Sequence, residues 1–274
     1  MRIQPRFGSD PIIQLDGDPT AVRTPFVRQR RRLLETFAHL SEEDLAQPSR
    51  CDGWTVRDIA AHLAIVDTFW GYSISKGRKG EPSETLVDFD PVTTPAAMVA
   101  STSAMSAAET LTQLTASTER LLTLVEGLDD PTWMLPAEGP PGHIAISAVV
   151  HHALWDAWVH ERDVMLPLGQ TPPERDDEII ASLHYVSALG PAYAISQGKP
   201  HTGILGVRVS KPDAAFVVDI GESAVVRSGE EPADLELSNG AVELLEALSV
   251  RAPLPLALPA EHAWMVQGLT EAFA

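Results

Sequence analysis

Apolar residues recur at helical spacing through the first part of the chain. Phe26, Val27, Leu33, Leu34, Phe37 and Leu40 mark a first helix, whose polar positions include Arg28, Arg30, Arg31 and Arg32. Those four arginines read as a solvated helix face. Ser41-Glu42-Glu43-Asp44 opens a short second helix with an N-cap serine and early acids. Pro48 to Gly53 is turn chemistry. Thr55-Val56-Arg57-Asp58 then caps a helix that is apolar through Ile59, Leu63, Val66 and Phe69 toward Ser75. Residues 76–97 are polar and rich in Pro and Gly, so they read as a long loop of the kind that forms lids or binding walls. The pattern next predicts a long helix over 96–128, a break from Pro131 to Gly142, and a helix from Ile144 to Met165. Helices with such stripes pack as a four-helix bundle.

After Leu168-Gly169 the period changes. Asp176 to Gln197 reads as one more helix. Ile204–Val209, Ala215–Ile220, Ala224–Arg227 and Leu235–Leu237 are short β-branched runs separated by Gly, Pro or Asp, and read as strands. Ala241–Leu248 and Ala260–Phe273 read as helices packed on that sheet. Residues 1–20, with their Pro, Gly and Asp, read as an irregular lead-in. The expected class is α+β: a helical bundle over 1–170 and a smaller α/β domain over 171–274.

Of 274 residues, 44% are hydrophobic, enough to bury a core and to exclude wholesale disorder. Lys plus Arg number 20 against 38 Asp plus Glu, a formal charge of −18. That excess repels nucleic acid and anionic membranes. Met1 to Pro19 carries three aspartates and lacks a signal-peptide apolar run, and no stretch approaches the roughly 18 unbroken apolar residues of a membrane span. One cysteine, Cys51, excludes an intrachain disulfide and a thiolate-clustered zinc site. The expectation is a soluble cytoplasmic protein, monomer or homodimer, with no nucleic-acid or membrane partner.

Dinucleotide and phosphate-loop glycine motifs, the nucleophile elbow and the His-Glu-x-x-His motif are all absent. The informative segment is His151 to Asp163. Asp156 and His160 stand four apart, about 40° from each other on the helix cylinder, with His152 one turn before and Asp163 seven residues after Asp156. Two ligands at that spacing can share one metal ion, since their Cβ atoms lie roughly 5–6 Å apart. The same spacing also suits a solvent-facing stripe or a helix-stabilising carboxylate–imidazole pair. Val149, Val150, Leu154, Trp155, Trp158 and Val159 make the helix mostly apolar, and buried polar groups need partners. His62, midway along the Thr55 helix, by itself reads as an ordinary core or surface histidine. It gains weight only beside Asp156 and His160, because a bundle site draws ligands from facing helices.

The segment Arg50-Cys51-Asp52-Gly53-Trp54-Thr55-Val56-Arg57-Asp58-Ile59-Ala60-Ala61-His62-Leu63 resembles the signature of the mycothiol-dependent maleylpyruvate isomerase family, within the DinB-like metalloenzymes. Trp155 to Asp163 resembles its second motif, and the region of Leu235–Ala241 and Leu248–Arg251 its small C-terminal α/β domain. The resemblance implies a DinB-like bundle holding a divalent metal, usually zinc, on His62, Asp156 and His160. Asp156 stands where the family commonly has Glu, one methylene longer. It also implies a low-molecular-weight thiol such as mycothiol as co-substrate, activated on the metal for addition to a small electrophile. The outcome would be S-transfer or maleylpyruvate-type isomerisation. A non-catalytic small-molecule binder and a metal-dependent hydrolase are the alternatives.

Among other residues, Arg251 reads first as a plain surface arginine and otherwise as a candidate partner for a carboxylate of the thiol or substrate. Asp163 reads equally as a carboxylate behind a ligand histidine or as an ordinary helix-end acid. Cys51 reads as packing. Trp54 is expected to anchor the turn on the bundle.

Overall fold

The structure, a computed structural model, describes residues 3–198, 202–254 and 257–273. A short strand, β1 (Ile13–Leu15), leads into α1 (Arg23–Ala38), α2 (Glu42–Ala46) and α3 (Val56–Gly77). Then come α4 (Thr93–Ala100) and α5 (Ala107–Glu126), a hairpin of β2 (Pro136–Gly139) and β3 (Gly142–Ala145), and α6 (Ile146–Met165). After α7 (Asp176–Ser196) the chain enters β4 (Gly203–Ser210), β5 (Ala214–Ile220), β6 (Ala224–Ser228) and β7 (Leu235–Gly240). It closes with α8 (Ala241–Leu248) and α9 (Trp264–Phe273). The α+β class follows, with α1, α3, α5 and α6 as the bundle.

Capping boxes set where the helices begin. Thr55 accepts from the Asp58 N–H while the Asp58 carboxylate accepts from the Thr55 N–H, and Ser41 with Asp44 does the same for α2. A third box, Ser106 with Glu109, starts α5 and divides the expected 96–128 helix into two. The break after α5 is more than a linker. Pro136–Gly139 pairs with Gly142–Ala145 as an antiparallel hairpin around Pro140-Pro141, so α6 begins two residues later than its apolar pattern implies.

The hairpin organises the long loop. Buried Glu138 accepts from the backbone N–H groups of Thr85 and Leu86 at 2.5 and 2.6 Å and from the Thr85 hydroxyl at 2.9 Å. Residues 83–86 are thereby fastened to the hairpin, Ser83 through its carbonyl to His143 Nε2. Gly142, at φ +132°, sits against the Arg6 backbone, where a Cβ would stand 2.0 Å from the Arg6 carbonyl oxygen. Gly142→Ala is expected to lower the unfolding free energy by about 2–3 kcal/mol, read from urea denaturation.

Strands order as β1-β6-β5-β4-β7, antiparallel at the centre and parallel at both edges. The N-terminal segment is therefore partly regular: β1 pairs with β6, Ile13 opposite Ala224 and Leu15 opposite Val226. Joining the two regions is α7, which contacts α6 on one side and α8, α9 and the sheet on others. By length and composition α7 is apolar enough to cross a membrane, but it is largely buried within the protein. One apolar cluster runs from Trp70 and Ile146 through Leu189 to Val218 and Leu244. A second lies among Leu33, Phe37, Ile59, Leu63, Leu114 and Val164.

The arginines of α1 depart from the solvated face expected of them. Arg30 is wholly buried beside Asp67, Arg32 pairs with Glu161 and Glu178, and Arg28 with Asp177 and Glu178. Acidic residues of α3, α6 and α7 draw them inward, and Arg31 stays outside with Glu126.

Candidate metal centre

From Ile146 to Val164 every residue of α6 is buried except Asp156. This acid faces α3, where the cap at Thr55 sets the helix phase that turns His62 toward it. His62 Nε2 lies 3.6 Å and His160 Nε2 3.5 Å from Asp156 Oδ1, and the two imidazoles meet edge to face at 4.8 Å. One ligand atom from each of the three residues falls within 4.8 Å of the others.

A tetrahedral ion with bonds of about 2.05 Å sets its ligand atoms about 3.3 Å apart, close to the two separations measured here. The shorter side chain of Asp156 therefore still brings its carboxylate to both imidazoles. His62 Nε2 and Asp156 Oδ2 are buried without a hydrogen-bond partner in the protein. Two imidazole nitrogens and a carboxylate, with His62 Nε2 and Asp156 Oδ2 unmet, fit a divalent ion of the zinc type.

Electrostatics prepares the donors. Burial holds His62 below its ordinary pKa, which favours the neutral ring a cation requires. Burial acts to raise Asp156, but His160 and His62 outweigh it and keep the acid below the usual carboxylate range. Burial also acts to lower His160, yet Asp156, Asp163 and Cys51 push it up to about 10. A cation at Nε2 competes with that proton.

Behind His160 stands Asp163, whose Oδ2 is 3.0 Å from His160 Nδ1. An Nδ1–H donating to this carboxylate leaves Nε2 for the ion, the arrangement that orients metal-binding histidines. Asp163 is thus tied to His160 and Arg251 and is not a plain helix-end acid. It is held in turn from 88 residues away by Arg251, whose Nε donates to it at 3.0 Å and Nη2 at 2.8 Å. Arg251 Nη2 also approaches Cys51 Sγ at 3.2 Å, and that sulfur lies 3.3 Å from Asp163 Oδ2 and 3.9 Å from His160 Nδ1. Cys51, His160 and Asp163 also lie close enough to hold an ion. There, however, the Arg251 guanidinium already supplies the positive charge, and the cluster is satisfied by hydrogen bonds.

Around this core, Glu246 of α8 takes hydrogen bonds from Arg50 and Arg162, fastening the C-terminal region to the turn before α3. Trp54 packs on His62 at 5.3 Å. His152, the remaining member of the stripe, hydrogen-bonds Tyr185 and lies outside the three-residue group. Sequence reasoning missed Glu246 and Tyr185 because neither belongs to a local motif. It read Arg251 as a surface arginine or the partner of an external carboxylate, and not as the partner of Asp163.

A four-helix bundle with an α/β extension and a His–Asp–His group between two facing helices defines the class. Within it, residues 26–165 match the model of the mycothiol maleylpyruvate isomerase N-terminal domain, and the chain belongs to this family. The fold is similar to two crystal structures of mycothiol-dependent maleylpyruvate isomerase, one of them of a histidine-to-alanine mutant. Their TM-scores are 0.55 and 0.58 for the mutant, at 14% identity, over 85% of this chain and 88% of each of those chains. No curated protein matches the sequence significantly.

Proposed function

We propose that this protein is a metal-dependent enzyme that activates a low-molecular-weight, mycothiol-like thiol for addition to a small electrophile. Its reaction would be that of an S-transferase or a maleylpyruvate-type cis–trans isomerase. The observation that carries the reading is the convergence of His62, Asp156 and His160 with unmet polar atoms, inside a chain of this family. An ion held there, zinc by the chemistry of the donors, lowers the pKa of a thiol so that the thiolate exists at neutral pH.

The protein's own residues prepare the place. Burial keeps His62 neutral, while the two histidines keep Asp156 ionised. Asp163 and Arg251 fix the His160 ring so that its Nε2 faces the other two donors. Trp54 packs its ring against His62.

Cobalt-substituted protein titrated with mycothiol provides the test. A new sulfur-to-metal absorption band, absent from an Asp156→Ala variant, is the expected result. A spectrum indifferent to thiol but sensitive to pH would replace this reading with a water-activating hydrolase.

A further inference from the structure

One more polar ring lies on the site-bearing face of α6. His152, a turn before Asp156, is 7% exposed and packed by the rings of Trp70, Trp155 and Tyr185 at 4.5, 5.3 and 5.0 Å. Its Nδ1 lies 2.6 Å from the Tyr185 hydroxyl. Tyr185 is fully buried, and among the described residues His152 is its hydrogen-bond partner.

Those facts assign the proton. If Nδ1 donated to the phenol oxygen, the Tyr185 hydroxyl hydrogen would be buried with no acceptor, which folded proteins avoid. Tyr185 O–H therefore donates to Nδ1, and a neutral ring then carries its hydrogen on Nε2. Burial supports the neutral form, holding His152 down to about 4 and the Tyr185 phenol well above its ordinary value. The Nε2–H bond diverges from the Tyr185 contact by the geometry of the imidazole, and it meets no acceptor among the described residues. A neutral donor also suits a neighbouring cation, which a charged imidazolium would repel.

We propose that His152 is a hydrogen-bond donor, of tautomer fixed by Tyr185, to an oxygen of the ligand held at the His62–Asp156–His160 centre. This rests on the metal and thiol reading above. It selects ligands that carry a carbonyl or carboxylate oxygen near the reacting atom over purely apolar ones. His152 is then a catalytic residue in the sense of touching the reactant, and Tyr185 a positioning residue.

The test uses full-length, cobalt-loaded protein and two thiols of matched length, 3-mercaptopropionate and 1-propanethiol, with binding read from the cobalt spectrum. His152→Phe is expected to weaken 3-mercaptopropionate about tenfold, the size of one hydrogen bond to a charged group, and to leave 1-propanethiol unchanged. His152→Gln, whose amide N–H reaches the place of Nε2, restores the difference. Tyr185→Phe partly loses it, and the nitrogen NMR shifts of His152 move toward the Nδ1–H form. Equal behaviour of the two thiols across these variants, or an Nδ1–H tautomer in the unaltered protein, overturns the inference. An unaltered protein that takes up no cobalt, or whose spectrum neither thiol moves, instead brings down the underlying reading, and the inference falls with it.

Discussion

His160→Ala, purified without an affinity tag, is expected to contain almost no divalent metal by elemental analysis, beside about one ion per chain in the unaltered protein. The variant removes one of three donors and also disconnects Asp163 from the site, since Asp163 acts through His160 Nδ1. Asp156→Ala should be as severe, because Asp156 is the acid that both imidazoles approach. Asp163→Asn keeps all three donors but removes the charge behind His160 that also pairs with Arg251, so metal affinity should fall about 10–100-fold. Thermal unfolding supplies a second reading. Zinc at a hundred times its dissociation constant stabilises a binding protein by about 2.7 kcal/mol, which should raise the melting temperature of the unaltered chain and leave His160→Ala unmoved. A variant that retained a stoichiometric ion would show that the three residues are not the site.

Much of this centre was legible because its parts are local. The cap at Thr55 fixes the phase of α3, and the four-residue spacing of Asp156 and His160 fixes their common face, so both follow from backbone geometry. His62 needed a partner from another helix, and only family resemblance linked the segments before the structure did. Asp163 shows the limit. From sequence its two readings were equal, and what separates them is Arg251, far along the chain and beyond reach of any helical period. Cys51 met the same limit. Its basic neighbours are Arg251 and the His160 ring, not only the adjacent Arg50.

The fold was readable to the same degree and for the same reason. Helices with strong apolar stripes and capping residues were visible. The elements whose partners are distant were missed: β1, three residues long and regular through β6, and the hairpin, hidden in a run of Pro and Gly. From sequence the α1 arginines look like a solvated face, because four clustered charges do so whenever the opposing acids lie on other helices. Arg30 has the largest consequence.

At the middle of the bundle, Arg30 Nη2 lies 2.9 Å from Asp67 Oδ1 and donates to the Ala153 carbonyl at 2.9 Å. Thr118 Oγ1 donates to Asp67 Oδ2 at 2.6 Å. These residues come from α1, α3, α6 and α5, so the three contacts form one polar network across all four bundle helices. Both charged side chains are fully buried. Asp67→Ala leaves the guanidinium without its counter-charge in the core and should destabilise the fold by about 3–5 kcal/mol, measured by urea unfolding. A loss below about 1 kcal/mol would mean that water or another acid reaches Arg30. The pair need not stabilise relative to an apolar core, however, since desolvating two charges offsets most of their attraction. The double variant Arg30→Met with Asp67→Leu should therefore recover most of the stability. Metal affinity separates the roles, because Ala153 lies on α6 three residues before Asp156 and Asp67 on α3 five residues after His62. A double variant that is stable yet binds metal more weakly would assign the buried pair to holding the register of the two helices that carry the candidate ligands rather than to the strength of the fold.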